Sequence, residues 1–168
     1  MQLKERILEL ESSDAFLEWK KINKDSYLAH IFFDESGHQF GYYNTDDTVT
    51  SFTFRDGTVN HDAGQKIFKA NADPLVRLDV SRVEKGFPDC IQKAKDYLAK
   101  KYPSQSALKF FAILQEIKKK AVFNITLFTQ SLHALHVHID ATSGEILDEQ
   151  LISLFSVADI QKKLKERR

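Results

Sequence analysis

The same succession of local patterns runs through this chain twice. Residues 16–33 carry apolar residues at helical spacing, then a lysine-rich stop, Lys20-Lys21-Ile22-Asn23-Lys24, then an aromatic strand. Residues 97–111 repeat that order, with the stop Lys100-Lys101-Tyr102-Pro103 and a strand through Phe110-Phe111. More strands follow in each half, and VTSFTF-RDGTV parallels LHVHIDATSGEIL as strand, glycine turn and return. A helix that leads into an antiparallel meander buries its apolar stripe against one face of that sheet, which predicts the α+β class. Two such units predict tandem halves, 1–80 and 81–168, that share a core. Helix plus meander is also a common local solution, so the repeated pattern is compatible with duplication without requiring it.

Punctuation along the chain supplies the elements. Leu3, Ile7, Leu8 and Leu10, then Phe16, Leu17 and Trp19, recur at helical spacing, with Ser12-Ser13-Asp14 between them and Asp14 as one candidate cap. Residues 27–33 (YLAHIFF), 39–43 and 49–54 read as strands, the last closed by the hairpin signal Arg55-Asp56-Gly57 before Thr58-Val59. Residues 63–70 are ambiguous, with one or two helical turns as one reading. The alternation of Leu75-Val76-Arg77-Leu78-Asp79-Val80 predicts another strand. The clearest helix runs over 88–101, with Ile91, Ala94, Tyr97 and Leu98 on one face and Pro88 in its first turn. Strands are expected over 108–116, 121–129 and 134–141, the first two joined by Lys118-Lys119-Lys120, and the chain continues past Gly144 through 145–147. Residues 151–157 fit strand or helix, and 160–168 fit a basic terminal helix.

Period-two alternation sorts the strand side chains. Leu108, Phe110, Ala112 and Leu114 share one face, and Phe123, Ile125 and Leu127 share one on the next strand. The opposite face then carries Lys109, Phe111, Ile113, Asn124 and Thr126, which is only partly polar. Something must cover Phe111 and Ile113: the other half, a second subunit or a ligand. These five residues are the expected binding face.

The second half resembles the PepSY-like group of cystatin-type folds. The likeness is carried by the helix ending Ala99-Lys100-Lys101-Tyr102-Pro103, by the apolar strand pair, and by the closing segment from Val137 through Asp140-Ala141-Thr142-Ser143-Gly144-Glu145-Ile146-Leu147. In that segment Asp140 can bond its own loop backbone and Gly144 can take positive φ, so the motif folds a turn and carries no chemistry. The resemblance implies a cystatin-like helix on a curved meander, and a non-enzymatic binding or regulatory module for a protein or peptide. The chain departs from the family's habits by lacking an export signal and membrane spans.

Composition narrows the function classes. Lys+Arg and Asp+Glu number 24 each, so there is no positive field of the kind a nonspecific nucleic-acid binder needs, and no nucleic-acid partner is expected. The aromatic strands beside lysines, Phe110-Phe111 and Tyr42-Tyr43, therefore read as core rather than as stacking platforms. One cysteine, Cys90, excludes an internal disulfide and a cysteine-rich zinc site. No window approaches the roughly 18 apolar residues of a membrane helix, and no signal peptide opens the sequence, so a cytoplasmic protein without a membrane partner is expected. Phosphate loops, dinucleotide fingerprints and zinc ribbons are missing from the sequence, and no cofactor is expected.

Three residues remain as candidates for chemistry. His136, His138 and Asp140 alternate along one strand and emerge on one sheet face, where two imidazoles and a carboxylate can bind zinc, nickel or copper, with His133 as a further ligand. The competing reading is a solvated face with Asp140 committed to its turn. The same face could line a small-ligand or catalytic cavity, for which Asp140 with His138, or Asp79, supplies the ionisable groups. His30, inside an apolar strand, reads as a satisfied and partly buried side chain.

Overall fold

The structure, a computed structural model, describes residues 2–66 and 72–155. Two short helices, α1 (Leu3–Glu11) and α2 (Asp14–Ile22), precede four strands, β1 (Tyr27–Asp34), β2 (Gly37–Tyr43), β3 (Thr48–Arg55) and β4 (Thr58–Lys66). A single 3-10 turn, Val80–Arg82, leads to α3 (Phe87–Lys101) and four more strands: β5 (Ala107–Ile117), β6 (Lys120–Thr129), β7 (His133–Asp140) and β8 (Ile146–Ser153). All eight strands form one antiparallel sheet in the order β4-β3-β2-β1-β5-β6-β7-β8. The two meanders meet where β1 pairs β5, and the α+β class is the one expected.

The helices bury their stripes against one sheet face. In α2 the buried residues Phe16 and Trp19 meet Tyr42 of β2 and Phe52 of β3, with ring centroids 5.0–5.6 Å apart in tilted or edge-on contacts. In α3 the stripe Cys90, Ala94 and Leu98, spaced four residues apart, lies against β6 and β7. Phe33 of β1 stacks on Phe87 at 4.4 Å and 16°, and Phe87 also meets Phe110 and Phe123. Each half thus has its own aromatic cluster, and both belong to one buried core.

Local chemistry sets most element ends. Ser13, rather than Asp14, caps α2: its hydroxyl oxygen accepts from the Phe16 amide at 3.3 Å, while Asp14 sits in the first turn. The β3–β4 hairpin turns through Asp56 and Gly57 at φ 50° and 76°, the two left-handed residues of a tight turn. The β5–β6 turn does the same with Lys118 and Lys119, at φ 49° and 64°, and Arg82 Nη1 donates to the Lys119 carbonyl at 2.8 Å.

Several expectations need correction. Residues 75–80 are not a strand: β5 takes that side of β1 over His30–Phe33, and beside the remaining end of β1 this segment makes a single backbone bond. Leu78 donates one backbone bond to Leu28 and is buried, Val76 is exposed, and the Asp79 carboxylate folds the chain by accepting from the Ser81 amide and hydroxyl. Ala63 to Lys66 extend β4 rather than forming a helical turn, and 67–70 lie outside the described residues. Leu151 to Ser153 belong to β8, whereas 156–157 and the expected helix over 160–168 lie outside the described residues. Leu108 leaves the core face: the register of β5 shifts between Ala107 and Lys109, and Leu108 is 58% exposed.

Replacing Ser13 by Ala should cost about 1 kcal/mol, while Asp14→Ala, which loses only its interaction with the helix dipole, should cost about half as much. Urea unfolding of the two variants measures the difference.

Candidate functional site

Because directly paired residues share a sheet face, the register lays out the surface opposite the helices. One row runs Asn60, Thr53, Gln39, Phe32, Ile113, Asn124, His138 and Asp148 across all eight strands. Beside it lie Phe111, Thr126, His136 and Gln150, and then Lys109 and Phe128. All five residues of the expected binding face therefore lie on this side of the sheet, with Thr126 buried among its neighbours. Phe32 stacks on Phe111 at 5.9 Å, and Phe111 meets Phe128 at 5.7 Å, so three half-buried rings form a ladder along the middle of the sheet. Lys109, exposed, stands at the end of that ladder.

His30 anchors the next row. Its imidazole lies across the Cα of its cross-strand partner Gly41, where an added Cβ would fall 2.3–2.8 Å from three ring atoms. Burial pushes its pKa below the ordinary histidine value, which keeps the ring neutral. Glycine is thus required at 41 for lack of space.

The three alternating residues of β7 are not gathered as a ligand set. Asp140 Oδ1 accepts from the Thr142 and Ser143 amides at 2.8 and 3.2 Å, and Oδ2 accepts from Lys120 Nζ at 3.0 Å. Burial acts to raise its pKa, but the Thr142 amide, Lys120 and the Ser143 amide outweigh it and hold the carboxyl below its usual value. His136 Nδ1 is 3.0 Å from Thr126 Oγ1, and burial followed by the charge of His138 lowers its pKa. His133 turns to Ser131, and Asp79 to Ser81 and Arg82. Among the described residues no three His, Cys, Asp or Glu side chains converge as a metal site. Gly144 takes φ 77° and its amide donates to the Asp140 carbonyl, as the folding motif requires. Cys90 is buried, and burial first, then the Asp89 charge, pushes its thiol up to about 11, against the lowering expected of a helix N-terminus.

A second feature has no trace in the sequence pattern. Between α1 and the residues entering α3 lies a cleft of about 1000 Å³, lined by Leu3, Phe33, Val83, Phe87 and Pro88 together with Lys4, Arg6, His38 and Lys85. It is formed by residues some 80 positions apart in the chain. Nothing in either segment indicates that the two face each other.

No family model matches the chain, and a comparison with curated proteins gives no match. Among solved structures, a protein of Clostridium difficile 630 provisionally described as a lipoprotein aligns with a TM-score of 0.49 and 13% identity, over 83% of this chain and 91% of its own. Among the described residues no helix is long and apolar enough to cross a membrane.

Gly41→Ala should destabilise the fold by about 1–3 kcal/mol, and His30→Ser in the same chain should recover most of that loss. A thermal or urea double-mutant cycle reads the coupling. Asp140 behaves differently with pH. Its folded pKa is depressed, so its contribution is present above the unfolded value and lost as pH falls through the folded value. Asp140→Ala should therefore lower Tm at neutral pH, with the gap to the parent closing below the ordinary carboxylate range.

Proposed function

We propose that this protein is a binding module without chemistry of its own, and that the open sheet face is where it docks another protein chain. The observation that carries the reading is the ladder of Phe32, Phe111 and Phe128 on a face that none of the described helices covers. Aromatic anchors surrounded by neutral polar groups are the anatomy of an interface core, and Gln39, Asn124, Thr126 and His136 supply that surround. The sheet edges are less suited. Strand β4 is almost wholly exposed and polar, and β8 carries Asp148 and Glu149, which oppose pairing with another strand.

The occupant to which the reading commits is a second copy of the chain. Equal numbers of acidic and basic residues remove net repulsion between copies, and two sheet faces pack as a sandwich about 10 Å apart. In the same proposal the halves are related copies of a PepSY-like, cystatin-like unit; the symmetric strand order about the β1–β5 pair supports it. A cytoplasmic location belongs to this reading too, and the single cysteine is compatible with it. The metal or small-ligand reading of His136, His138 and Asp140 is the weaker one, since Asp140 is spent on its turn.

Size-exclusion chromatography with light scattering tests the proposal. The parent chain should run at twice its monomer mass, and Phe111→Glu at monomer mass with a Tm within a few degrees of the parent. A parent that is monomeric at high concentration, or a dimer that Phe111→Glu leaves intact, overturns it.

A further inference from the structure

The sheet ends in an apolar rim where β5 begins, β6 turns into β7 and β8 stops, beyond the last ring of the aromatic ladder. Backbone bonds tie the segments of this rim together. The Gln130 amide donates to the Ser106 carbonyl at 3.1 Å, and the Leu154 amide to the Leu132 carbonyl at 2.8 Å. Three large apolar side chains stand in water there: Leu108, Leu132 (47% exposed) and Phe155 (60% exposed). Exposed leucines scattered singly need no explanation, but these three share one end of one sheet.

Two departures from regular backbone present the leucines. The register shift between Ala107 and Lys109 turns Leu108 off the core face. Leu132 takes φ 56°, a left-handed conformation that costs a bulky side chain more than it costs asparagine or glycine. A small polar residue at 132 would suit the turn better, so folding alone does not account for the leucine.

Charge around the rim has one sign. Residues 102–115, 128–139 and 150–158 contain no acidic residue, and Lys109 is exposed beside Leu108. Glu149, further along β8, pairs with Lys101. The acids of the β1–β2 turn, Asp34 and Glu35, lie on the far side of β5 from Leu132, and Asp34 accepts from the Ser36 amide and hydroxyl. The sequence beyond Phe155 adds Lys162, Lys163, Lys165, Arg167 and Arg168 against Asp159 and Glu166.

We infer that this rim docks the protein on an anionic lipid surface. Leu108, Leu132 and Phe155 enter the boundary between headgroups and acyl chains, while Lys109 and the basic residues from Lys162 to Arg168 meet the negative headgroups. The apolar side chains gain by leaving water, and each cation near the leaflet adds an attraction that salt weakens. A nucleic acid would satisfy the cations but offer the leucines nothing to bury in. A second copy of the chain, bringing the same cations to the same rim, would be repelled. Three side chains without a spanning helix give reversible contact rather than insertion.

Co-sedimentation of the full chain with vesicles tests this, using phosphatidylcholine alone or phosphatidylcholine mixed with phosphatidylserine. The parent should bind the mixed vesicles about tenfold or more tighter, and high salt should remove most of that preference. Leu132→Asn with Phe155→Ser should weaken binding about tenfold. Leu132→Asn alone should fold with a Tm equal to or above the parent's and still bind more weakly, which separates docking from a structural role. Phe111→Glu should keep the preference for anionic vesicles, so the rim and the aromatic face are tested independently, and failure here leaves the docking proposal standing. No binding at high lipid, equal binding to both vesicles, or no response to the apolar changes each overturn the inference. A parent dimer that Leu132→Asn converts to monomer assigns the rim to a contact between copies and overturns it as well.

Discussion

The pairing of His30, Ile31, Phe32 and Phe33 with Gln115, Leu114, Ile113 and Ala112 is the short ladder on which the rest of the molecule depends. It turns two four-stranded meanders into one sheet. Paired residues share a face, so this register decides that Ile31, Phe33, Ala112 and Leu114 enter the core while His30, Phe32, Ile113 and Gln115 stay outside. A slip of one residue would turn one of the two strands over; for β5 it would place Gln115 under the helices and carry Ala112 and Leu114 out of the core. The same ladder brings Phe33 under α3, which unites the two aromatic clusters and opens the cleft beside them.

With the helices on one side, the outer face is left with a composition that water alone does not explain. Strand β6 buries Val122 and Thr126 there, and Phe32, Phe111 and Phe128 are half-covered by one another. Self-covering by aromatic neighbours lowers the cost of exposure without removing it. The first meander solves part of the problem internally: Ala29, Tyr43 and Val49 form a small satellite cluster with Tyr27 and Leu75, and the Tyr27 hydroxyl donates to the Leu75 carbonyl at 2.5 Å. The strand-like alternation at 75–80 is thus used to cover an end of the sheet rather than to extend it.

Reading elements from the sequence worked where a local cause was sufficient. Phe16 and Trp19 needed only helical spacing, Asp56-Gly57 needed only left-handed φ, and Asp140 with Gly144 needed only a carboxylate able to bond its own turn. It failed where occupancy decided. Leu75 to Val80 alternates like a strand, yet β5 takes most of that side of β1 and leaves room for one backbone bond, Leu78 to Leu28. His136, His138 and Asp140 do share a sheet face, but whether a carboxylate is available to a metal depends on Lys120, a neighbour across the sheet that alternation does not reveal.

What the sequence alone determined, then, is the inventory: helices followed by antiparallel meanders in each half, the face to which each strand residue belongs, and the turns between them. These follow from period, capping and backbone conformation, all of which act within a few residues. Only the tertiary structure decided that the halves join through β1 and β5, that Gly41 exists to admit the His30 ring, and that Lys4 and Arg6 come to line one cleft with Lys85. Those outcomes depend on which strand edges find each other across some 80 residues of chain, a choice set by packing of the whole core and encoded in no single segment.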